Sequence, residues 1–328
     1  MHRLFLTAWL LALVATDGRA ESIAEPVEIS DRYRAGDRYA GVRLLGALRL
    51  HSTPVNGLPA TELSGAAWDE HGGVLYAVSD AGHIAHLRPR FTAEMLTGME
   101  YVAAFPLRDQ EGAVLREKSS DAEGLAIIRS GAAPGETELA VSFEGEPRVE
   151  VYRPDGRWIR TAPLPEKLRR KKNFVGGNSQ LEAVAVTPSL GLVVAPQKPL
   201  RSMLADRHAL YDEAGRAWIF PAIDADDSSL VGMEAAPDGS IIVLERRYRN
   251  VFSPLLFVLR RLSLDPARQP RGGPVIPAEI VRFDNTRGWN IDNFEGIARH
   301  RGNRYFLVSD DNNSAMQSTL VVYLETSR

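Results

Sequence analysis

A short phrase built around a glutamate recurs along this chain, and that recurrence restricts the fold more than any other feature. Its fullest form is Asp121-Ala122-Glu123-Gly124-Leu125-Ala126. It returns as Gln180-Leu181-Glu182-Ala183-Val184-Ala185, as Gly232-Met233-Glu234-Ala235-Ala236, and as Asn293-Phe294-Glu295-Gly296-Ile297-Ala298. Leu63-Ser64-Gly65-Ala66-Ala67 reads as a first copy in which serine replaces the glutamate. A β-type run follows each copy. Keyed on Ser64, Glu123, Glu182, Glu234 and Glu295, the spacings are 59, 59, 52 and 61 residues. Radial units of four strands repeat at about this period, so the expected fold is an all-β propeller.

Turn chemistry supports the same division. Asp69-Glu70-His71-Gly72-Gly73, Pro154-Asp155-Gly156, Glu213-Ala214-Gly215 and Pro237-Asp238-Gly239 each separate two apolar runs, as hairpin turns do. Five units of similar layout result, and no stretch shows helical periodicity of comparable length. The fifth unit lacks a strand before the chain ends. Val42–Leu50, a convincing strand near the other terminus, can fill that gap and close the ring. The expectation is therefore five four-stranded blades. A sixth, divergent blade within Leu87–Arg116 or Lys198–Ser229 is the alternative.

Residues 1–20 read as a signal peptide. His2 and Arg3 precede the apolar run Leu4–Ala15, and Gly18-Arg19-Ala20 places small residues at a cleavage site. The run is short for a bilayer span. The expected address is the periplasm or the medium after cleavage near Ala20, with no stable membrane anchor. There is no cysteine, so disulfides and lipobox lipidation are excluded, and the core must hold the exported domain together. Residues 21–40 form a polar leader and 41–328 the propeller domain. A net charge of −3 argues against a nucleic-acid partner. The oligomeric state is left open.

The repeat also places chemistry. In a propeller blade the first strand lines the channel and the second runs antiparallel beside it. The start of the first and the end of the second therefore share one mouth. Glu123, Glu182, Glu234 and Glu295 stand at the starts, and Asp80, Glu144, Gln197, Glu245 and Asp310 at the ends. Crowded carboxylates raise one another's pKa unless cations offset them. Internal cations are available in Arg148, Lys198, Arg201 and Arg246. A hard cation is the other solution, and calcium suits a flexible rim of oxygen ligands. Expected metal ligands are Glu123, Glu182, Glu234, Glu245, Glu295 and Asp310. The competing expectation is that the repeated glutamates only tie each blade to its neighbour.

Three stretches taken in order resemble a known family: Asp121-Ala122-Glu123-Gly124, Val243-Leu244-Glu245-Arg246, and Asn293-Phe294-Glu295-Gly296 followed by Leu307-Val308-Ser309-Asp310-Asp311-Asn312. They are similar to the phytase-like domain of exported bacterial proteins, described as having esterase-like activity. The resemblance spans about residues 60–325. It implies a propeller and a phosphoester or carboxyl-ester hydrolase, with Glu123, Glu182, Glu245, Arg246, Glu295 and Asp310 as the carried positions. Ala183 departs from it, where glycine often follows the glutamate, and so does Ser64.

On this reading Glu123, Glu295 and Arg246 are the catalytic candidates. Arg148, Lys198 and Arg201 would bind the anionic part of a small ester or phosphoester substrate. The basic run Lys167–Lys172 could attract such a substrate, although a charge run is usually a solvated loop. There is no Gly-x-Ser-x-Gly elbow and no phosphate-cradling loop, and Ser64 and Ser309 have no evident partner histidine. A non-catalytic propeller that binds a ligand or protein at its mouth is the alternative function.

Overall fold

The computed structural model describes residues 22–131, 135–176, 180–224, 227–249, 253–264, 274–314 and 316–327. The signal-peptide reading lies outside them. Alternating apolar runs separated by Gly, Asp and Pro turns fold into five antiparallel sheets around one axis, a five-bladed β-propeller. Blade one comprises Leu63–Asp69, Val74–Ser79, His83–Thr92 and Met95–Pro106; blade two Ala122–Arg129, Glu138–Phe143, Arg148–Tyr152 and Trp158–Thr161. Blade three comprises Leu181–Thr187, Gly191–Pro196, Arg207–Asp212 and Ala217–Pro221; blade four Ser228–Ala235, Ile241–Arg247, Leu256–Leu262 and Ala278–Asp284. The stretches in which a sixth blade was the alternative contain a long outer hairpin of blade one and the outer half of blade three.

Blade five closes the ring as the spare strand requires. Asn293–Arg299, Arg304–Asp310 and Leu320–Thr326 are completed by Val42–Leu50, which pairs with Leu320–Thr326 from Leu320↔Arg49 to Thr326↔Val42. The two ends of the domain are thereby held in one sheet, so neither terminal strand can leave without opening the ring. The leader continues outward on this sheet: Ala24–Pro26 and Arg38–Tyr39 both pair with Val42–Leu50. Between them Ile29 is buried, and Tyr33 stacks on Trp289.

The core lies in layers between adjacent blades. Between blades one and two, for example, Tyr76, Val78 and Ile84 pack on Leu139, Val141 and Phe143. The first strands meet around the axis at backbone contact. A methyl group on Gly124 would come within 2.8 Å of the Glu182 carbonyl, and one on Gly232 within 2.4 Å of the Glu295 carbonyl. The cavity that remains on the axis holds about 10 Å³, room for about one water. A small residue, glycine or alanine, is thus required after the mouth position by the tightness of the ring, and a ligand must sit at a mouth rather than inside the channel.

Candidate active site at the acidic mouth

Each first strand begins with a register shift: at Leu63/Gly65, Ala122/Leu125, Leu181/Ala183, Leu230/Gly232 and Phe294/Gly296. A β-bulge bends a strand and re-aims one side chain. The residues at these shifts are Ser64, Glu123, Glu182, Val231 and Glu295. Just past the residues paired with the strand starts, the second strands bring Asp80, Glu144, Gln197, Arg246 and Asp310 to the same mouth. The residues two before each shift, Glu62, Asp121, Gln180, Ser229 and Asn293, complete it.

Blade four departs from the expected placement. Glu234 pairs with Ile242, three residues beyond the shift and toward the opposite face. Its carboxylate accepts from Arg299 N at 3.0 Å and Ala235 N at 2.7 Å, and burial pushes it up to about 7. Val231 holds the position expected for a glutamate. Glu245 is also displaced, because it pairs with Leu230 and so occupies the position of Ser79 and Ser309 in other blades. It turns away from the mouth into the layer between blades three and four, fully buried. There it accepts from Arg260 Nη1 at 2.6 Å, Ile223 N at 3.1 Å and Ser228 Oγ at 3.2 Å. Its neighbour Arg246 takes the mouth position instead.

The remaining expected residues converge. Ser64 Oγ donates to Asp80, and Gln197 Nε2 donates to Glu182 Oε1 at 2.8 Å. Arg246 Nη1 donates to Glu295 Oε1 at 2.7 Å and also to Asn293. Asn293 Nδ2 donates to Glu295 Oε1 at 2.9 Å, while Asp310 Oδ1 accepts from Asn312 N at 2.7 Å. Gln180 N donates to Glu144 Oε1 at 2.9 Å. Asp80, Asp121 and Glu123 bring carboxylate oxygens within 4.8 Å of one another, and so do Glu123, Glu144 and Glu182.

This crowding perturbs the carboxyls strongly. Burial, then repulsion from Glu182 and Asp80, holds Glu123 well above the usual range; burial and Glu295 do the same for Glu182. Burial, then Glu295 and Asp310, raises Asp80. Burial pushes Glu144 to about 7, and burial with Glu295 does so for Asp310. At neutral pH such a set holds protons or binds cations.

The expected substrate-binding cations separate. Lys198 Nζ donates to the Ser228 carbonyl at 2.7 Å; burial and then Arg246 lower its pKa, so the two cations share the blade-four side of the mouth. Arg148 is engaged elsewhere, donating to the Ser119 carbonyl at 2.5 Å with its guanidinium 3.9 Å over the Phe143 ring. Arg201 is exposed on the loop after the second strand of blade three, and its backbone N–H donates to the Asn173 carbonyl. The basic run forms a short helix, Glu166–Arg169, and a 3-10 turn, Lys171–Asn173, at the junction of blades two and three.

Sequence reasoning missed Asp121 and Asn293 as site members. The available signal was the polar residue two before each keyed position, once blade four is keyed correctly. It also missed a serine–histidine contact, Ser228 Oγ to His208 Nε2 at 2.9 Å. Burial drives His208 down to about 3, Glu245 bonds the serine rather than the free side of the imidazole, and both residues are closed to substrate. That contact is a packing network, not a nucleophile and base.

Fold and mouth together define the class: a five-bladed propeller with one axial mouth lined by buried carboxylates and flanked by two cations, Lys198 from blade three and Arg246 from blade four. The chain belongs to the phytase-like family, "esterase-like activity of phytase", whose model matches residues 59–313. No curated protein matches it. Among solved structures it is similar to the Myceliophteria thermophila Cps50 (Swd1) β-propeller domain, with 11% identity over 92% of this chain and 99% of that one, and a TM-score of 0.41. It is also similar to the Neurospora crassa Pan2 WD40 domain, with 10% identity over 89% and 97%, and a TM-score of 0.32. These two likenesses are loose and carry no functional argument.

Proposed function

We propose that the chain is an exported ester hydrolase, acting on a small phosphoester or carboxyl ester at the acidic mouth with calcium bound there. One observation carries this reading: carboxylates of blades one to three converge in the mouth in two groups whose oxygens lie within 4.8 Å of one another, and Lys198 of blade three and Arg246 of blade four stand beside them. The donor set is all oxygen, which fits a hard cation. Glu123, Glu144 and Glu182, with Asp80 and Asp121, would hold calcium. Bound there, the ion would polarise the ester and lower the pKa of a water.

The protein's own groups do the rest. Glu295 and Asn293 fix the Arg246 guanidinium, so it faces the mouth without a search over rotamers. With Lys198 beside it, Arg246 would receive the anionic oxygens of a phosphoester and of the transition state. Glu123 and Glu295 are then the carboxylates nearest the reacting group, one on the metal side and one on the cation side. The short axial cavity closes the floor and keeps the substrate at the surface. Export is supported by the basic, apolar and small-residue order of residues 2–20. N-terminal sequencing of the protein from the culture tests it and should begin at Glu21.

The activity test uses 4-nitrophenyl phosphate and 4-nitrophenyl acetate. Turnover should vanish in a chelator and return with calcium. Glu123→Gln should abolish it, and Glu234→Gln should leave it intact. No turnover of either ester with calcium present would favour the ligand-binding alternative.

A further inference from the structure

The mouth divides its charge unevenly, and the division is informative. Every blade but the fourth brings carboxylates to the mouth; Glu295 of blade five is held by Arg246 and Asn293, whereas the acids of blades one to three crowd on one another, with Ser64 and Gln197 as the neutral side chains of their ring positions there. Two groups of three carboxylate oxygens form there, each within 4.8 Å: Asp80 with Asp121 and Glu123, and Glu123 with Glu144 and Glu182. Glu123 belongs to both.

A second observation points to a ligand. Glu182 is 3% exposed, and its Oε1 is satisfied by Gln197, but its Oε2 is buried with no hydrogen-bond donor in reach. A carboxylate oxygen left in that state is costly, and native proteins reserve such atoms for an ion, a water or a proton. The groups that face it from the neighbouring blade are Glu123 and Glu144, which are acceptors themselves when ionised.

We propose that two divalent cations bind side by side at this mouth, bridged by Glu123. Asp80 and Asp121 complete the first site, and Glu144 and Glu182 the second. The proposal rests on the metal-dependent reading of the mouth and deepens it, by giving the number of ions and dividing the ligands between them. Three side chains per ion leave coordination positions open, since calcium takes six to eight oxygens. Those positions face outward, because the channel below is closed. Two adjacent ions with open positions suit an anion that bridges them, such as a phosphate group, better than a neutral carboxyl ester.

The division of ligands makes a pattern that a single site cannot imitate. The full exported chain is stripped with a chelator and dialysed against labelled calcium at pH 7.5. Wild type should bind two ions. Asp121→Asn and Glu182→Gln should each bind one, and Glu123→Gln should lose both, with at least a hundredfold weaker binding. These isosteric variants keep the packing, and thermal melts in chelator check it: each should melt at or above wild type, since it removes one of several crowded acids. In calcium each should melt below wild type.

One ion in the wild type, no ion, or two ions retained by Glu123→Gln overturns the proposal. No binding, with melts unaffected by chelator, would mean that shared protons occupy the cluster. Two ions bound without ester hydrolysis would leave this proposal standing while refuting the hydrolase reading.

Discussion

Arg246 is the one arginine that the ring of mouth positions presents, and its replacement by methionine tests whether the mouth is organised by charge. Its Nη1 donates to Glu295 Oε1 at 2.7 Å, and the two side chains are 16% and 9% exposed. Removing one partner of a buried pair costs about 3–5 kcal/mol, because the other charge is left unpaired. Both groups here keep a little solvent and Glu295 keeps Asn293 Nδ2, so the lower end applies, about 3 kcal/mol. At about 2 °C per kcal/mol for a domain of this size, the melting point should fall by about 6 °C in chelator. Urea titration of wild type, Arg246→Met, Glu295→Gln and the double variant closes a cycle. The double variant should recover most of the loss, with a coupling of about 2 kcal/mol, because no charge is then stranded. A coupling below about 0.5 kcal/mol would refute the reasoning, since distant independent sites give values that small.

Two further outcomes follow from the same geometry. Glu144 and Asp310 titrate near 7 when folded and near 4.3 and 3.9 when unfolded, so the folded chain holds protons that the unfolded chain has released. Metal-free stability should therefore fall as pH rises from about 4 through 7, whereas calcium affinity should rise over that window as its ligands lose protons; urea midpoints in chelator that rise with pH would contradict this. Gly124→Ala would place its methyl 2.6 Å from Ser142 Oγ and 2.9 Å from Val184 N, forcing blade three outward. It should cost about 1–3 kcal/mol and weaken calcium binding by spreading Glu123 from Glu182, and an unchanged urea midpoint would show that the ring is looser than described.

Much of this protein was legible in the chain. The repeat of an acid before a glycine or alanine, followed by a β-type run, announced blades. Turn residues marked their hairpins, and the missing strand of the last unit pointed to Val42–Leu50. Glu123, Glu182 and Glu295 could be keyed correctly because each is followed by a small residue that the crowded axis demands, an imprint of tertiary packing on the local sequence.

Blade four shows where that reading stops. Gly232-Met233-Glu234 imitates the phrase locally, yet the true equivalent is Leu230-Val231-Gly232, fixed by pairing with Leu244 and Glu245. Side chains alternate along a strand, so a shift of one residue carries a group to the other face. That alternation sends Glu245 into the inter-blade layer with Arg260 and brings Arg246 to the mouth. The sequence by itself determined the architecture, its closure and six of the mouth's acids, Glu123, Glu182, Glu295, Asp80, Glu144 and Asp310, because those depend on periodicity. Which side of the mouth is anionic and which cationic was decided only in three dimensions. Register is a property of paired strands, and no single strand carries it.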